Sequence, residues 1–456
     1  MMLRTRILKA HPATLVLASF LLAIGIGTLL LKLPFSSEVA YISWVDALFT
    51  ATSAVCVTGL VVMDTGTYFT YFGQVVILFL IQVGGLGVMT ISVALFRWIG
   101  RNISFRHRMV MQDLFTHTPR EDIFGLVKSV VLYTISTELI GAVLLTIHWN
   151  QEFHLGRAAY TGLFHSISAF CNVGFSLFPD SMVRYSNDLW LNFTLCGLIV
   201  VGGIGFPVLY DLQCWIKFRK RQRWRLSIQT KTVLWTTFTM IVLGAFMFAV
   251  LEQLPISGSQ PISHRILTPL FQSIACRTAG FNTIDIASLK NATLAMMIFL
   301  MFFGASPGSC GGGVKTTTLA LLAAFTMSRF RQRRRVNLFK KSVPGETVVR
   351  SVSLVLISIA IICIVLFLIL AGNAIDGHRL DDTQRTFIEY LFETVSAFGT
   401  VGLSMGATSQ FNMWSKFWII VMMIIGRMGV LTFSYMVVGI QATNGVEHSE
   451  ENLMIG

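Results

Sequence analysis

Charged side chains are scarce in this sequence. Asp, Glu, Lys and Arg make up 12% of the 456 residues, about half their usual share in soluble globular domains, and uncharged runs of 19 residues or more recur along the chain. A soluble protein is excluded, and a polytopic membrane protein remains. Acids are the scarcer sign, 22 against 35 Lys and Arg, for a net charge of +13. Such an excess points to nucleic acid only if it gathers on one surface. Here 24 of the 35 basic residues fall in four blocks between apolar runs, at 4–9, 97–128, 217–231 and 329–350. The positive-inside rule makes those blocks cytoplasmic and leaves no nucleic-acid partner. Acids such as Glu38, Asp64, Glu152, Asp180, Asp188, Asp285, Asp376, Asp381 and Asp382 lie mainly in the alternate connections, which should face outward.

Metal-binding and catalytic patterns are also missing. The seven cysteines (Cys56, Cys171, Cys196, Cys214, Cys276, Cys310 and Cys363) form no CxxC pair and no cluster with histidine, so free thiols and no structural zinc are expected. No HExxH, no GxSxG and no group of acids at membrane depth is present, and an enzyme is not expected. The apolar run 13–31 follows a basic arm without a convincing cleavage site and should remain as the first span.

What the chain does have is 54% hydrophobic residues and a mean hydropathy of +0.69. Further uncharged stretches at 65–96, 189–210, 232–251, 291–314 and 351–375 are each long enough to cross a hydrocarbon core about 30 Å thick. Segment 129–147 is interrupted by Glu138, and 413–440 by Lys416 and Arg427. The predicted total is eight spans, with both termini cytoplasmic. Between them lie four segments too short to cross, 43–55, 158–170, 265–276 and 386–398, which read as re-entrant helices. A glycine-bearing hexapeptide follows each: VCVTGL at 55–60, FCNVGF at 170–175, RTAGFN at 277–282 and FGTVGL at 398–403.

The chain therefore repeats one pattern four times. Gly59, Gly174, Gly280 and Gly402 are spaced by 115, 106 and 122 residues. A second glycine follows each after 24 to 28 residues, at Gly84, Gly202, Gly304 and Gly426. Gly84, Gly202 and Gly426 read as helix-packing residues. Asp46 and Glu389 stand 13 residues before the first and fourth loop glycines. They act either as ordinary charges at helix N-termini or as cation attractors at a pore mouth. The fold class is all-α membrane protein, built of four tandem span, pore-helix, loop, span units: 1–103, 104–222, 223–342 and 343–456.

Non-helical backbone at membrane depth is tolerated only where protein or a wet cavity satisfies it. Four such loops meeting on a pseudo-fourfold axis could replace the hydration shell of a cation with carbonyl oxygens, helped by the negative ends of the short helices. The candidate lining is Val55, Cys56, Val57, Thr58 and Gly59; Phe170, Cys171, Asn172, Val173 and Gly174; Cys276, Arg277, Thr278, Ala279 and Gly280; and Phe398, Gly399, Thr400, Val401 and Gly402. Arg277 should point behind its loop or towards an acid.

These loops, Thr400-Val401-Gly402 above all, resemble a reduced potassium-channel filter. The four-unit chain resembles the Trk/Ktr/HKT superfamily of potassium transporters over 13–440, with the bacterial Ktr membrane subunit as the nearest likeness. Two more features match it. The third unit carries Gly304, Ala305, Ser306, Pro307, Gly308, Ser309, Cys310, Gly311, Gly312 and Gly313, with Lys315 beyond, a run that cannot continue as helix. The resemblance makes 304–314 the gate on the cytoplasmic half of the pore and sets Arg427 beside it. Lys315 either snorkels to the interface or contacts the loop. A phosphate-binding reading of Gly308, Gly313 and Lys315 fails, because Val314 breaks the register of GxxxxGK[ST].

By resemblance, glycine at 59, where plant-type members often carry serine, implies preference for potassium over sodium. The resemblance further implies a homodimer, a cytoplasmic ring of nucleotide-binding RCK subunits, stimulation by sodium, and no covalently bound cofactor. The cluster 329–341 reads as a topogenic, lipid-facing patch or the docking site for that ring. Segment 102–118 reads as an interfacial helix. The alternative function is an ion-coupled secondary transporter with a midplane site.

Overall fold

The computed structural model describes residues 12–38, 41–98, 123–218, 225–253, 262–333, 335–375 and 387–430, and these are overwhelmingly helical. The N-terminal basic arm, segment 102–118, the acids at 376, 381 and 382, and the end of the 413–440 stretch lie outside the described residues.

The first unit comprises α1 (Pro12–Leu31), α2 (Trp44–Val55) and α3 (Tyr71–Trp98). The second comprises α4 (Ile123–Trp149), α5 (Leu155–Phe170), α6 (Leu189–Ile204) and α7 (Phe206–Phe218). The third has α8 (Ile228–Leu251), α9 (Ile262–Ala275), α10 (Asn291–Phe302) and α11 (Thr316–Phe330), and a short β1–β2 hairpin (Asn337–Leu338, Lys341–Ser342) follows it. The fourth has α12 (Gly345–Ile375), α13 (Phe387–Gly399) and α14 (Met413–Met428). The short helices α2, α5, α9 and α13 match the segments expected to be re-entrant.

Several expected spans are shorter or broken. The 65–96 stretch opens with a separate turn, Thr65–Tyr68 capped by Asp64, before α3 begins at Tyr71. The 189–210 stretch breaks at Gly205, whose φ of +98° is open to glycine but strained for an L side chain, and α6 and α7 meet at 97°. The 291–314 stretch is helical only to Phe302, and α14 ends at Met428 before Gly429 at φ +84°. Among the described residues three helices are long and apolar enough to cross a membrane, Ser129–Trp149, Ile228–Leu251 and Gly345–Asn373, or four if the bent pair counts as one. Hydropathy averages over a break because the residues on either side of it remain apolar.

In each unit the first and second long helices pack together; the short helix lies against both in the first, second and fourth units and against the first helix in the third. Between units the second helix packs on the next unit's short helix: α3 on α5, α6 on α9, α10 on α13, and α14 on α2. That last contact closes the ring, with the units in chain order. The main apolar core runs through all four.

Closure carries an ion pair. Lys416 on α14 meets Asp46 on α2 at 2.7 Å, with 13% and 11% of their side chains exposed. Asp46 also closes the N-terminal turn of α2 by exchanging bonds with Ser43. Asp46 is thus a paired helix-start charge. Losing one partner of a buried pair costs about 3–5 kcal/mol, since the other charge is stranded. Lys416→Met should lower the midpoint of thermal unfolding in detergent, and adding Asp46→Asn should restore most of it. A single variant as stable as the parent would show that the pair contributes nothing to closure.

Candidate functional site: four glycine loops and the segment beneath them

Each short helix ends in a loop with the same backbone signature. The loop glycines have φ of +87°, +86°, +74° and +90° at Gly59, Gly174, Gly280 and Gly402. Two residues earlier Val57, Asn172, Thr278 and Thr400 lie at +59°, +57°, +71° and +50°, while the residue between is not in that region. Three of these four are β-branched, for which this conformation is a true outlier costing about 1–2 kcal/mol. Such strain persists where surrounding structure enforces it, typically at functional sites. A sign change in φ at each step turns successive peptide planes so that their carbonyls can face one side.

The pattern keeps the glycine alignment and shifts only the frame of the third hexapeptide. Equivalence by φ aligns Cys276–Phe281 with the other three hexapeptides, one residue before the 277–282 frame of the sequence reading. Arg277 thereby takes the position of Cys56, Cys171 and Gly399.

Serines on the short helices hold three of the loops from behind. Ser53 Oγ accepts from Gly59 N at 3.1 Å and donates to the Leu60 carbonyl at 2.7 Å. Ser168 Oγ donates to the Phe175 carbonyl at 2.8 Å, and Ser396 Oγ accepts from Gly402 N at 3.2 Å. The third unit has Ile274 at that place, and its neighbour Ser273 turns away to the Ile241 carbonyl. Arg277 turns away too: its guanidinium donates to Thr237 Oγ1 on α8 at 3.3 Å, behind the loop. Its partner is a hydroxyl and not an acid.

The four loops converge. A Cβ on Gly402 would lie 3.0 Å from Gly59 Cα and 3.1 Å from the Val173 carbonyl oxygen. One on Gly280 would lie 3.0 Å from Gly174 Cα and 2.7 Å from the Val401 oxygen. Thr58, Val173, Ala279 and Val401 are fully buried, and among the described residues no hydrogen bond is donated to their carbonyls. Buried backbone oxygens are almost always paired. Four unpaired ones gathered at one ring form a ready-made set of hard oxygen ligands for a cation.

The packing glycines bear on the same ring. A Cβ at Gly84, Gly202 or Gly426 would collide with the carbonyl of Val55, Phe170 or Phe398, the last residue before each loop's turn. Small residues there let each second helix press on the end of its unit's short helix. Glu138 lies behind the second loop, where it is buried and accepts from Gln82 Nε2 at 3.2 Å and from the Cys171 thiol at 3.7 Å. All seven cysteines are free.

On the side of the ring away from the post-glycine segments lies the glycine-rich stretch between α10 and α11. Gly312 N donates to Thr400 Oγ1 at 2.9 Å, directly under the fourth loop. The C-terminal carbonyls of a helix lack partners within it, and this stretch supplies them. Ser306 N and Cys310 N donate to Gly203 and Gly202 of α6 at 3.1 and 3.3 Å. Gly313 N donates to Gly426 of α14 at 3.3 Å, and Val314 N to Phe302 of α10 at 3.2 Å. In return the Gly308 carbonyl accepts from Phe206 N at the start of α7, at 3.0 Å. Arg427 donates to the Cys310 carbonyl and to the Gly84 carbonyl of α3. Lys315 Nζ turns back to the carbonyls of Gly311 and Gly312, at 2.8 and 3.4 Å, rather than reaching for an interface. The stretch is bonded directly to the second, third and fourth units, and through Arg427 to the first.

Sequence reasoning missed two residues of this region. Glu393, fully buried, accepts from Ser404 Oγ, Met405 N and Thr408 Oγ1, and His165, also fully buried, contacts Ser176 and Leu177. Each stands nine residues before its loop glycine, an offset that the fourfold alignment could have exposed.

Comparison with known proteins gives a consistent result. Residues 5–442 match the family model described as TrkH, a cation transport protein. The Ktr system potassium uptake protein B of Vibrio alginolyticus is 38% identical over 450 residues, spanning 98% of this chain and 96% of that protein. Its namesake in Bacillus subtilis (strain 168) is 36% identical over 430 residues, 93% and 92% of the two chains. The potassium/sodium uptake protein NtpJ of Enterococcus hirae is 33% identical over 453 residues, 98% of both. The crystal structure of the potassium transporter TrkH from Vibrio parahaemolyticus superposes with a TM-score of 0.67 at 19% identity, covering 92% of this chain and 84% of that one. At that identity the likeness is one of fold.

Proposed function

The chain belongs to the TrkH family of cation transport proteins, and from that membership we propose that it is a potassium-selective, channel-like uptake protein of the cytoplasmic membrane. The ring of unpaired buried carbonyls at Thr58, Val173, Ala279 and Val401 carries the reading. Such oxygens replace water around a cation. Potassium moves inward down the membrane potential, worth about 2.3 kcal/mol per charge per 100 mV. Residues 304–314 act as the gate, and Arg427 and Lys315 hold it shut.

The proposed architecture has eight spans, with broken second helices counted as crossing, both termini cytoplasmic, and pore units at 1–103, 104–222, 223–342 and 343–456. Two chains pair, each with its own pore. The exposed basic hairpin region, with Arg329, Arg331, Arg333, Arg335, Lys340 and Lys341, docks on a ring of nucleotide-binding RCK subunits, and sodium stimulates uptake. The names of the Ktr and NtpJ relatives support potassium as the cargo and link sodium to the system.

Calorimetry of potassium and sodium binding to the detergent-purified protein tests the reading without requiring an open gate or a partner. Saturable binding that prefers potassium is expected. Equal binding of the two ions, or none, would reject the filter and move an ion-coupled carrier to first place.

A further inference from the structure

The second and fourth loops carry a brace at one shared position, nine before the loop glycine, that the first and third do not use; the third has instead a single bond from Gln272 Nε2 to Thr283 Oγ1 at 3.3 Å. In the fourth unit Glu393 Oε1 accepts from Ser404 Oγ at 2.6 Å and from Met405 N at 3.0 Å, while Oε2 accepts from Thr408 Oγ1 at 2.6 Å. In the second unit His165 Nε2 meets Ser176 Oγ at 3.1 Å and accepts from Leu177 N at 3.3 Å, while Nδ1 meets the Thr161 carbonyl at 2.8 Å. That carbonyl takes the Nδ1 proton and leaves Nε2 free to accept.

The correspondence extends residue by residue. Glu393 and His165 each stand nine before their loop glycine, Ser404 and Ser176 two after it, and Met405 and Leu177 three after it. The backbone N–H four after the glycine, of Gly406 or Phe178, donates to that serine at 2.9 or 3.0 Å. The nine-before position holds Thr50 in the first unit, whose hydroxyl goes to its own helix at Asp46, and Phe271 in the third. Units two and four face each other across the ring.

We propose that Glu393 and His165 are a diagonal pair of positioning residues that set potassium over sodium preference by fixing the segments just beyond Gly402 and Gly174. Neither touches the ring. Each ties the chain on the far side of its loop glycine to the helix on the near side, so the carbonyls between are held at both ends. Potassium and sodium differ little in radius, and a carbonyl ring discriminates only while its oxygens are kept from closing on the smaller ion. In the fourth loop, without Glu393, the segment keeps the weaker 3.2 Å bond from Gly402 N to Ser396 and loses three others.

The inference rests on the filter reading, and the test separates the two. The ratio of sodium to potassium dissociation constants is measured calorimetrically on the purified full chain. Gly402→Ser is the reference for filter damage. Glu393→Ala strands three donors and should lower the ratio roughly tenfold, the size expected from lost buried hydrogen bonds. Glu393→Gln retains the shape: its Oε1 still accepts from Ser404 and Met405, and its amide donates to Thr408, whose hydroxyl can accept. Its ratio should stay within about twofold of the parent. Ser404→Ala and Ser176→Ala each remove the serine's bond to the brace and the one it accepts from Gly406 N or Phe178 N, leave Glu393 and His165 in place, and should each lower the ratio measurably.

If Glu393→Ala does not fold, the two serine variants decide. Parental ratios in Glu393→Ala and both serine variants, with only yield or melting temperature reduced, would make the braces purely structural and overturn the proposal. A Gly402→Ser protein with an unchanged ratio would instead remove the filter reading itself.

Discussion

Deletion of residues 308–313 should raise potassium uptake at least roughly tenfold at saturating potassium. The removed segment supplies Cys310 N to α6, Gly308 O to α7, Gly313 N to α14, Gly312 N to Thr400, and the Cys310 carbonyl to Arg427. At about 0.5–1.5 kcal/mol net for each bond, these five hold the closed arrangement by about 2.5–7.5 kcal/mol. Every 1.4 kcal/mol corresponds to tenfold in an equilibrium, so removal of even a third of the restraint is visible in flux. The readout is uptake by cells deprived of their own potassium transporters, normalised to folded protein in the membrane. Unchanged or lower uptake by a folded deletion variant would show that the segment does not gate. Its bonds would then serve only to cap the broken helices.

Gly402→Ser should reduce potassium over sodium preference by roughly tenfold or more. Two effects combine. At φ +90° an L side chain is strained, by about 1–2 kcal/mol. The new Cβ also meets the Thr58 carbonyl oxygen, with Gly59 Cα at 3.0 Å and the Val173 oxygen at 3.1 Å. The first two belong to the adjoining first unit and the third to the second unit across the ring, and two of the three atoms are ring oxygens. Relief requires the fourth loop to shift or its neighbours to withdraw, and either changes the oxygen cage. An unaltered ion preference would remove Gly402, and with it the ring, from the selectivity machinery. Gly406, also at positive φ but with open space where a Cβ would be, is the matched control. Gly406→Ser carries backbone strain without the new Cβ contacts, and its loss of preference should be clearly smaller than that of Gly402→Ser.

The two outcomes are separable. Gate deletion changes how often the path is open and leaves the carbonyl ring untouched, so preference should persist while flux rises. The glycine variant changes preference whether or not flux changes.

Much of this molecule was legible in the order of its residues. Scarcity of charge and the long apolar runs required a membrane solvent, because no soluble core could bury them. Short helices could be placed at α2, α5, α9 and α13 because each combines insufficient length with a following glycine, and four recurrences separated that signal from chance. Arg427 could be assigned an interior partner, since a cation at membrane depth needs one. The Gly304–Gly313 run could be denied a helix on propensity alone. These are local properties, set by side-chain hydropathy and backbone freedom, and they survive without knowledge of neighbours.

The tertiary structure alone decided the rest. Breaks at Gly205 and Met428 leave no trace in hydropathy, because the chain is equally apolar on both sides. They form where the glycine-rich segment offers new partners to the freed carbonyls of Gly202, Gly203 and Gly426. Asp46 was ambiguous as a sequence feature and became a closure contact because Lys416, 370 positions away, lies beside it. The glycine alignment already placed Cys276–Gly280 opposite the other loops, and φ confirmed that frame over the 277–282 hexapeptide even though Ile274 replaces the serine that marks the other three. Glu393 and His165 share an offset of nine residues from their glycines, but they differ in type, and the offset alone gives neither of them a role. Their equivalence exists because both reach the same turn beyond the glycine, a relation made by folding four units around one axis.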